Sequence, residues 1–137
     1  MSDKISLVLM CIDYRFWPEA LPLLEKKYGE FDLIELAGAS KNLVSPTEEA
    51  DRTALLENIG ISISLHHPHQ IILTNHTDCG MYGGSKNFKS LEEEINFQIN
   101  DLKSAKDVIK QKFPELPTVM VLIHRDQDEK ISIEEVV

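Results

Sequence analysis

Apolar positions along the chain alternate between two rhythms, one that fits strands and one that fits helices. "ISLVLMCI" (residues 5–12) is an unbroken apolar run of the length expected for a strand covered on both faces, as in a parallel sheet. Next, Pro18 suits a first helical turn, Leu21, Leu24 and Tyr28 recur at helical spacing, and Gly29 supplies a stop, which predicts a helix through about Tyr28. "FDLIEL" returns to the strand rhythm and ends in the small-residue loop "AGAS" (37–40). Ser45, Pro46 and Glu48 read as a capping box with proline at the first helical position, opening a helix toward His66. Ile61, Ile63 and Leu65 alternate as a strand would, and Gly60 costs a helix about 1 kcal/mol. A crossover is nonetheless needed before the third strand, "QIILTN", and a helix is the usual one.

The longest pattern comes last. Ser90 and Glu93 form a second capping box, and Leu91, Ile95, Ile99, Leu102, Ile109 and Phe113 mark an apolar stripe closed by Pro114 and Pro117. "TVMVLI" then predicts a fourth strand, and "HRDQDEK" turns the chain into a short last one at "ISI". Strands alternating with helices predict an α/β fold: a mainly parallel sheet of four to five strands flanked by helices, in one domain over residues 1–137.

Composition narrows the function classes. A net charge of -9 makes nucleic acid and anionic membranes poor partners. No run approaches the roughly 20 apolar residues of a membrane span, and the basic, apolar and small-residue order of a secretion signal is missing, so a cytoplasmic location is expected. Thiols stay mostly reduced there, which favours metal binding or catalysis over a disulfide for the only two cysteines, Cys11 and Cys79.

Those cysteines sit where ligands bind. In open α/β sheets the site lies beyond the carboxyl ends of the strands, at the point where strand order reverses. Cys11 ends the first strand, and "NHTDCGMYGG" (75–84) follows the third. If those strands are neighbours, Cys11, His76 and Cys79 converge, and two thiolates with one imidazole suit Zn2+ in tetrahedral geometry with a fourth position left over. Gly80 lets the backbone crowd close behind Cys79. Continued extended geometry past Cys11 would point Asp13 and Arg15 the same way, with Arg15 keeping Asp13 ionised and therefore only an acceptor. A zinc-bound hydroxide beside it would aim its hydrogen at Asp13 and its lone pair at an electrophile.

"CIDYR" followed by "HTDCG" resembles, in order and spacing, the C-x-D-x-R and H-x-x-C pair of the β-class carbonic anhydrases, and "HTDCGM" is similar to the smaller members. The resemblance covers nearly the whole chain. It implies Cys11, His76 and Cys79 as zinc ligands, Asp13 and Arg15 as the catalytic dyad, and Ala37, Gly38 and Ala39 lining a small substrate pocket, to which Gly80 is joined. It also implies reversible hydration of carbon dioxide to bicarbonate by a homodimer or higher homo-oligomer. Two other readings remain open: a hydrolase of carbon disulfide or carbonyl sulfide on the same zinc, and a non-catalytic zinc protein with Asp13 on the metal.

Other polar clusters have plainer readings. "HHPH" (66–69) is expected at a helix end, where partial positive charge is welcome. "EEE" (92–94) reads as a solvated first turn, and His124 as part of an exposed hairpin.

Overall fold

The computed structural model describes residues 4–137. Its five-stranded sheet comprises β1 (Ser6–Met10), β2 (Phe31–Glu35), β3 (Gln70–His76), β4 (Thr118–Arg125) and β5 (Ile131–Val136), in the order β2-β1-β3-β4-β5. The first four strands run parallel, and β5 pairs antiparallel with β4. Four α-helices complete the order: α1 (Trp17–Tyr28), α2 (Lys41–Val44), α3 (Glu49–His66) and α4 (Leu91–Lys112).

The unbroken apolar run of β1 is explained by its position. All five residues are buried, because strand alternation sends Leu7 and Leu9 into a core with α2, α3 and α4, and Val8 and Met10 into a second core with α1. Ile71 and Leu73 of β3 join the first core and Ile72 the second. Burying a side chain of this size is worth roughly 1.5–3 kcal/mol, so this central pair of strands is a rigid base for whatever follows it. Register aligns Leu9 with Leu73, which brings the carboxyl ends of β1 and β3 side by side.

Three details differ from the sequence reading. The helix expected to start at Ser45–Pro46 begins at Glu49, with Glu48 as its cap: Glu48 and Asp51 exchange the two hydrogen bonds of a capping box. A carboxylate can do what a hydroxyl does at this position, so the rule was right in kind and three residues early. At α4, Ser90 accepts from the Glu93 N–H as expected, but the Glu93 carboxylate reaches one residue further back, to the Lys89 N–H.

The buried stripe of α4 is the third. It runs through Glu94, Gln98, Leu102, Ala105 and Ile109, while Leu91 is 61% exposed. Glu94, which the sequence pattern places in a solvated first turn, is only 1% exposed. The helix turns its polar first half, not its apolar one, toward the loop that follows β3.

Candidate metal centre

Cys11 lies just past β1, His76 is the last residue of β3, and Cys79 closes the turn that follows. All three are buried, and one ligand atom from each lies within 4.8 Å of the others. Both cysteines are free thiols. His76 is fixed from two sides: its Nδ1–H donates to the Thr77 carbonyl at 2.6 Å, and its ring stacks on Phe16 with centroids 4.2 Å apart. This sets the tautomer and leaves the Nε2 lone pair buried with no hydrogen-bond partner.

An unpaired polar atom in a dry place is costly unless something binds it. The thiols make the same case. Cys79, donating toward Cys11, draws the Cys11 thiol well below its ordinary value against the opposing effect of burial, and the Gly38 N–H adds to this. That contact with Cys11 and burial in turn push Cys79 up. One negative charge is favoured between the sulfurs, and a cation placed there would favour a second. Two soft sulfurs and an imidazole nitrogen are a donor set that zinc takes.

The small-residue loop after β2 closes against Cys11. Gly38 N–H approaches Cys11 Sγ at 3.4 Å. Its φ of 83° is a left-handed conformation, and a Cβ there would come within 3.1 Å of Met81 Cβ, so this position favours glycine for both reasons.

Asp13 and Arg15 do meet, though not by strand alternation. The chain turns at Asp13, whose carbonyl accepts from the Phe16 and Trp17 N–H groups, and whose Oδ1 accepts from the Arg15 N–H at 2.9 Å. This Asx-type turn folds Arg15 back on its neighbour. Arg15 Nε donates to Asp13 Oδ1 at 3.0 Å and Nη2 to Oδ2 at 2.6 Å. The guanidinium holds the Asp13 carboxyl below the usual carboxylate range. Asp13 Oδ2 lies 3.7 Å from His76 Nε2, beside the cluster.

A cavity of about 330 Å³ opens here, lined by Ile12, Asp13, Tyr14, Ala37, Gly80 and Met81 together with Cys11 and Cys79. Of the four residues expected in the pocket, Ala37 and Gly80 line it. Gly38 and Ala39 are buried and are not among its lining residues. Tyr14, 79% exposed, stands at the edge of this cavity.

Sequence reasoning missed the polar framework behind the ligands. Asn75 is buried and touches three segments: its Oδ1 accepts from the Ser40 N–H at 3.1 Å, and its Nδ2 donates to Tyr82 Oη and Gln98 Oε1, each at 2.9 Å. It therefore ties the loop that faces Cys11 to the turn that carries Cys79. Tyr82 passes the chain on to Asp101 Oδ2 at 2.6 Å. Asp78 and Glu94 form a second support: the Asp78 N–H donates to Glu94 Oε2 at 2.7 Å, and Ser85 Oγ to Glu94 Oε1 at 2.7 Å. The available signal was the phase of α4, because Glu94 and Gln98 extend the Leu102, Ala105 and Ile109 face backward in steps of four.

Comparison with known proteins agrees with this geometry. The family described as "Putative carbonic anhydrase" matches residues 1–136. An uncharacterised protein of Rickettsia bellii is 30% identical over 132 residues, covering 92% of this chain and 80% of its own length. One from Rickettsia conorii is 29% identical over 131 residues, covering 92% and 70%. Among solved structures, the carbonic anhydrase of Streptococcus mutans superposes with a TM-score of 0.64 at 15% identity, covering 100% of this chain and 86% of that one. A β-carbonic anhydrase of Aspergillus fumigatus gives 0.65 at 11% identity, covering 98% and 76%. Identities this low establish a shared fold, a mostly parallel sheet flanked by helices, and no more than that.

Proposed function

Because the chain belongs to the carbonic anhydrase family matched over residues 1–136, we propose that it hydrates carbon dioxide reversibly to bicarbonate with zinc held by Cys11, His76 and Cys79. The observation that carries this reading is the convergence of three buried ligand atoms beside a carboxylate that is already engaged by arginine. When bound, zinc would supply a Lewis acid that lowers the pKa of a coordinated water from its high bulk value toward about 7, the value known for carbonic anhydrases.

The chain's own residues do the rest. Thr77's carbonyl and the Phe16 ring orient His76 so that only Nε2 is available to the metal. Gly38 N–H offsets charge on the Cys11 sulfur. Arg15 keeps Asp13 ionised, so Asp13 accepts a hydrogen bond at the site and has no proton to give. It thereby selects the orientation of a water or hydroxide whose oxygen must face the carbon of the substrate. Ala37 and Gly80 leave room for a small, uncharged molecule in the cavity. A reading in which Asp13 itself fills the metal's open position is disfavoured by the four hydrogen bonds that Arg15 gives it.

The protein acts as one domain, in the cytoplasm, as a homodimer or higher homo-oligomer. Support for assembly comes from Ile12 and Tyr14, 56% and 79% exposed at the mouth of the cavity, an apolar rim of the kind a second copy covers. Among the described residues no helix is long and apolar enough to cross a membrane. Net charge of -9 disfavours nucleic acid and anionic membranes as partners.

Stopped-flow hydration of carbon dioxide by zinc-loaded protein, between about pH 7 and 9, tests the proposal beside Asp13→Ala. Turnover in the parent that falls about 100-fold in the variant, with zinc content unchanged, is the expected result. Full zinc occupancy with no turnover in the parent would sink it.

A further inference from the structure

Arg15 is gripped by two carboxylates, and only one belongs to the dyad. Its Nη1 donates to Asp78 Oδ2 and its Nη2 to the Asp78 carbonyl, both at 2.8 Å, while Nε and Nη2 serve Asp13. Asp78 is itself held in place. It sits at φ 57°, its Oδ1 accepts from the Ser85 N–H at 2.8 Å, and its own N–H is fixed by Glu94, a carboxylate only 1% exposed on α4. Ser85 Oγ bonds the other oxygen of Glu94, so the buried acid holds both ends of the turn that presents Asp78.

We propose that Asp78, braced by Glu94, is a positioning residue for the site: it anchors the Arg15 guanidinium so that Nε and Nη2 stay on Asp13 and Asp13 stays off the metal. The proposal rests on the functional reading above. Its physical basis is that Arg15 is a long side chain, more than one-third exposed, whose pairing with a residue two positions away does little by itself to fix an orientation. Engaging Nη1 and a backbone carbonyl on the opposite side turns a loose ion pair into a fixed fork. The stakes are set by distance. Asp13 Oδ2 is 3.7 Å from the His76 nitrogen that faces the cluster, and carboxylate oxygen is itself a zinc ligand, so a released Asp13 is a ready occupant of the open position.

Asp78→Asn tests this, in protein loaded with zinc for turnover and with cobalt(II) for spectroscopy. Asparagine keeps the size, keeps an oxygen for the Ser85 N–H and tolerates the left-handed backbone; the charged acceptor facing Nη1 is replaced by an amide NH2, which cannot accept. The expected result is one metal per chain, kcat lower by about tenfold or more, and KM within about twofold of the parent. The cobalt(II) absorption bands should change in Asp78→Asn, and the double variant with Asp13→Ala should match Asp13→Ala alone in both spectrum and rate. Parent-like bands and turnover in Asp78→Asn would overturn the proposal, as would a loss that persists undiminished on the Asp13→Ala background, which is what a merely structural residue would produce. A parent without turnover would defeat the functional reading alone, because the spectra still decide whether Asp78 restrains Asp13.

Discussion

The two ends of the sheet carry cavities of about the same volume, 330 Å³, and very different chemistry. The amino end has more histidine: His66, His67 and His69 lie within four residues, and His67 and Pro68 line its cavity with Ile63, Phe113 and Leu116. Yet these imidazoles diverge. His66 Nδ1 faces Asp32 Oδ2 at 2.8 Å, His69 Nδ1 faces the Ile5 carbonyl at 2.8 Å, and His67 caps α3 in the left-handed conformation. The carboxyl end has His76 and His124, and only His76 enters the cluster: its free nitrogen and two sulfurs, from segments more than sixty residues apart, share one point. Density of ligand types along a chain is therefore a poor guide to a metal site; what counts is an unpaired donor in a place that water does not reach.

The sharpest way to break this comparison is to remove a ligand from each end. Cys79→Ser is expected to abolish stoichiometric zinc and reduce carbon dioxide hydration to background, whereas His66→Ala combined with His69→Ala leaves both unchanged. Metal analysis with stopped-flow rates checks it, and loss of zinc from the histidine double variant would overturn the assignment of the site to the carboxyl end.

A smaller effect sharpens the contrast in buried polarity. Asn75→Ala leaves the Ser40 N–H and Gln98 Oε1 buried without their partner, and should cost about 3 kcal/mol in urea unfolding of metal-free protein. Ser62→Ala, which removes one hydrogen bond to Asp32 at the amino end, should cost about 1 kcal/mol. Equal costs would mean that Asn75 is not the tie it is argued to be.

The smallest effect depends on pH. Burial alone would raise the Asp32 carboxyl, but hydrogen bonds from Ser62 and His66 hold it below the usual carboxylate range. A carboxyl depressed in the folded state stabilises fully above its unfolded value of about 3.9, and that share is lost as pH falls through the folded value. Asp32→Asn should therefore cost under about 1 kcal/mol at neutral pH, with the gap to the parent closing below about pH 4. A gap that widens on acidification would contradict the sign.

Much of this architecture was legible from short-range pattern. The run Ile5–Ile12 announced a strand covered on both faces, and the strand and helix alternation announced the sheet. The meeting of Cys11, His76 and Cys79 needed one further rule, that ligands gather beyond the carboxyl ends of parallel strands. Other features resisted for identifiable reasons. Glu48 caps α3 in place of Ser45 because several residue types can accept from the same orphan N–H groups, so a capping box fixes a neighbourhood and not a residue. The stripe drawn through Leu91 followed hydrophobicity, while α4 rotates to bury Glu94 and Gln98 against the turn that carries Cys79. Asp13 and Arg15 were paired correctly from their spacing but by the wrong geometry, since the Asp13 side chain captures the backbone and ends the strand direction there.

What the amino-acid order settled alone was local: where the backbone extends or coils, and which residues can bind a soft cation. Tertiary structure decided which polar groups leave water. Placing β1 between β2 and β3 sets Cys11 beside His76, and packing α4 over the following turn buries Glu94 beneath Asp78. Propensity and periodicity act over a few residues, whereas burial and the loss of hydrogen-bond partners are properties of surfaces that exist only once distant segments have come together.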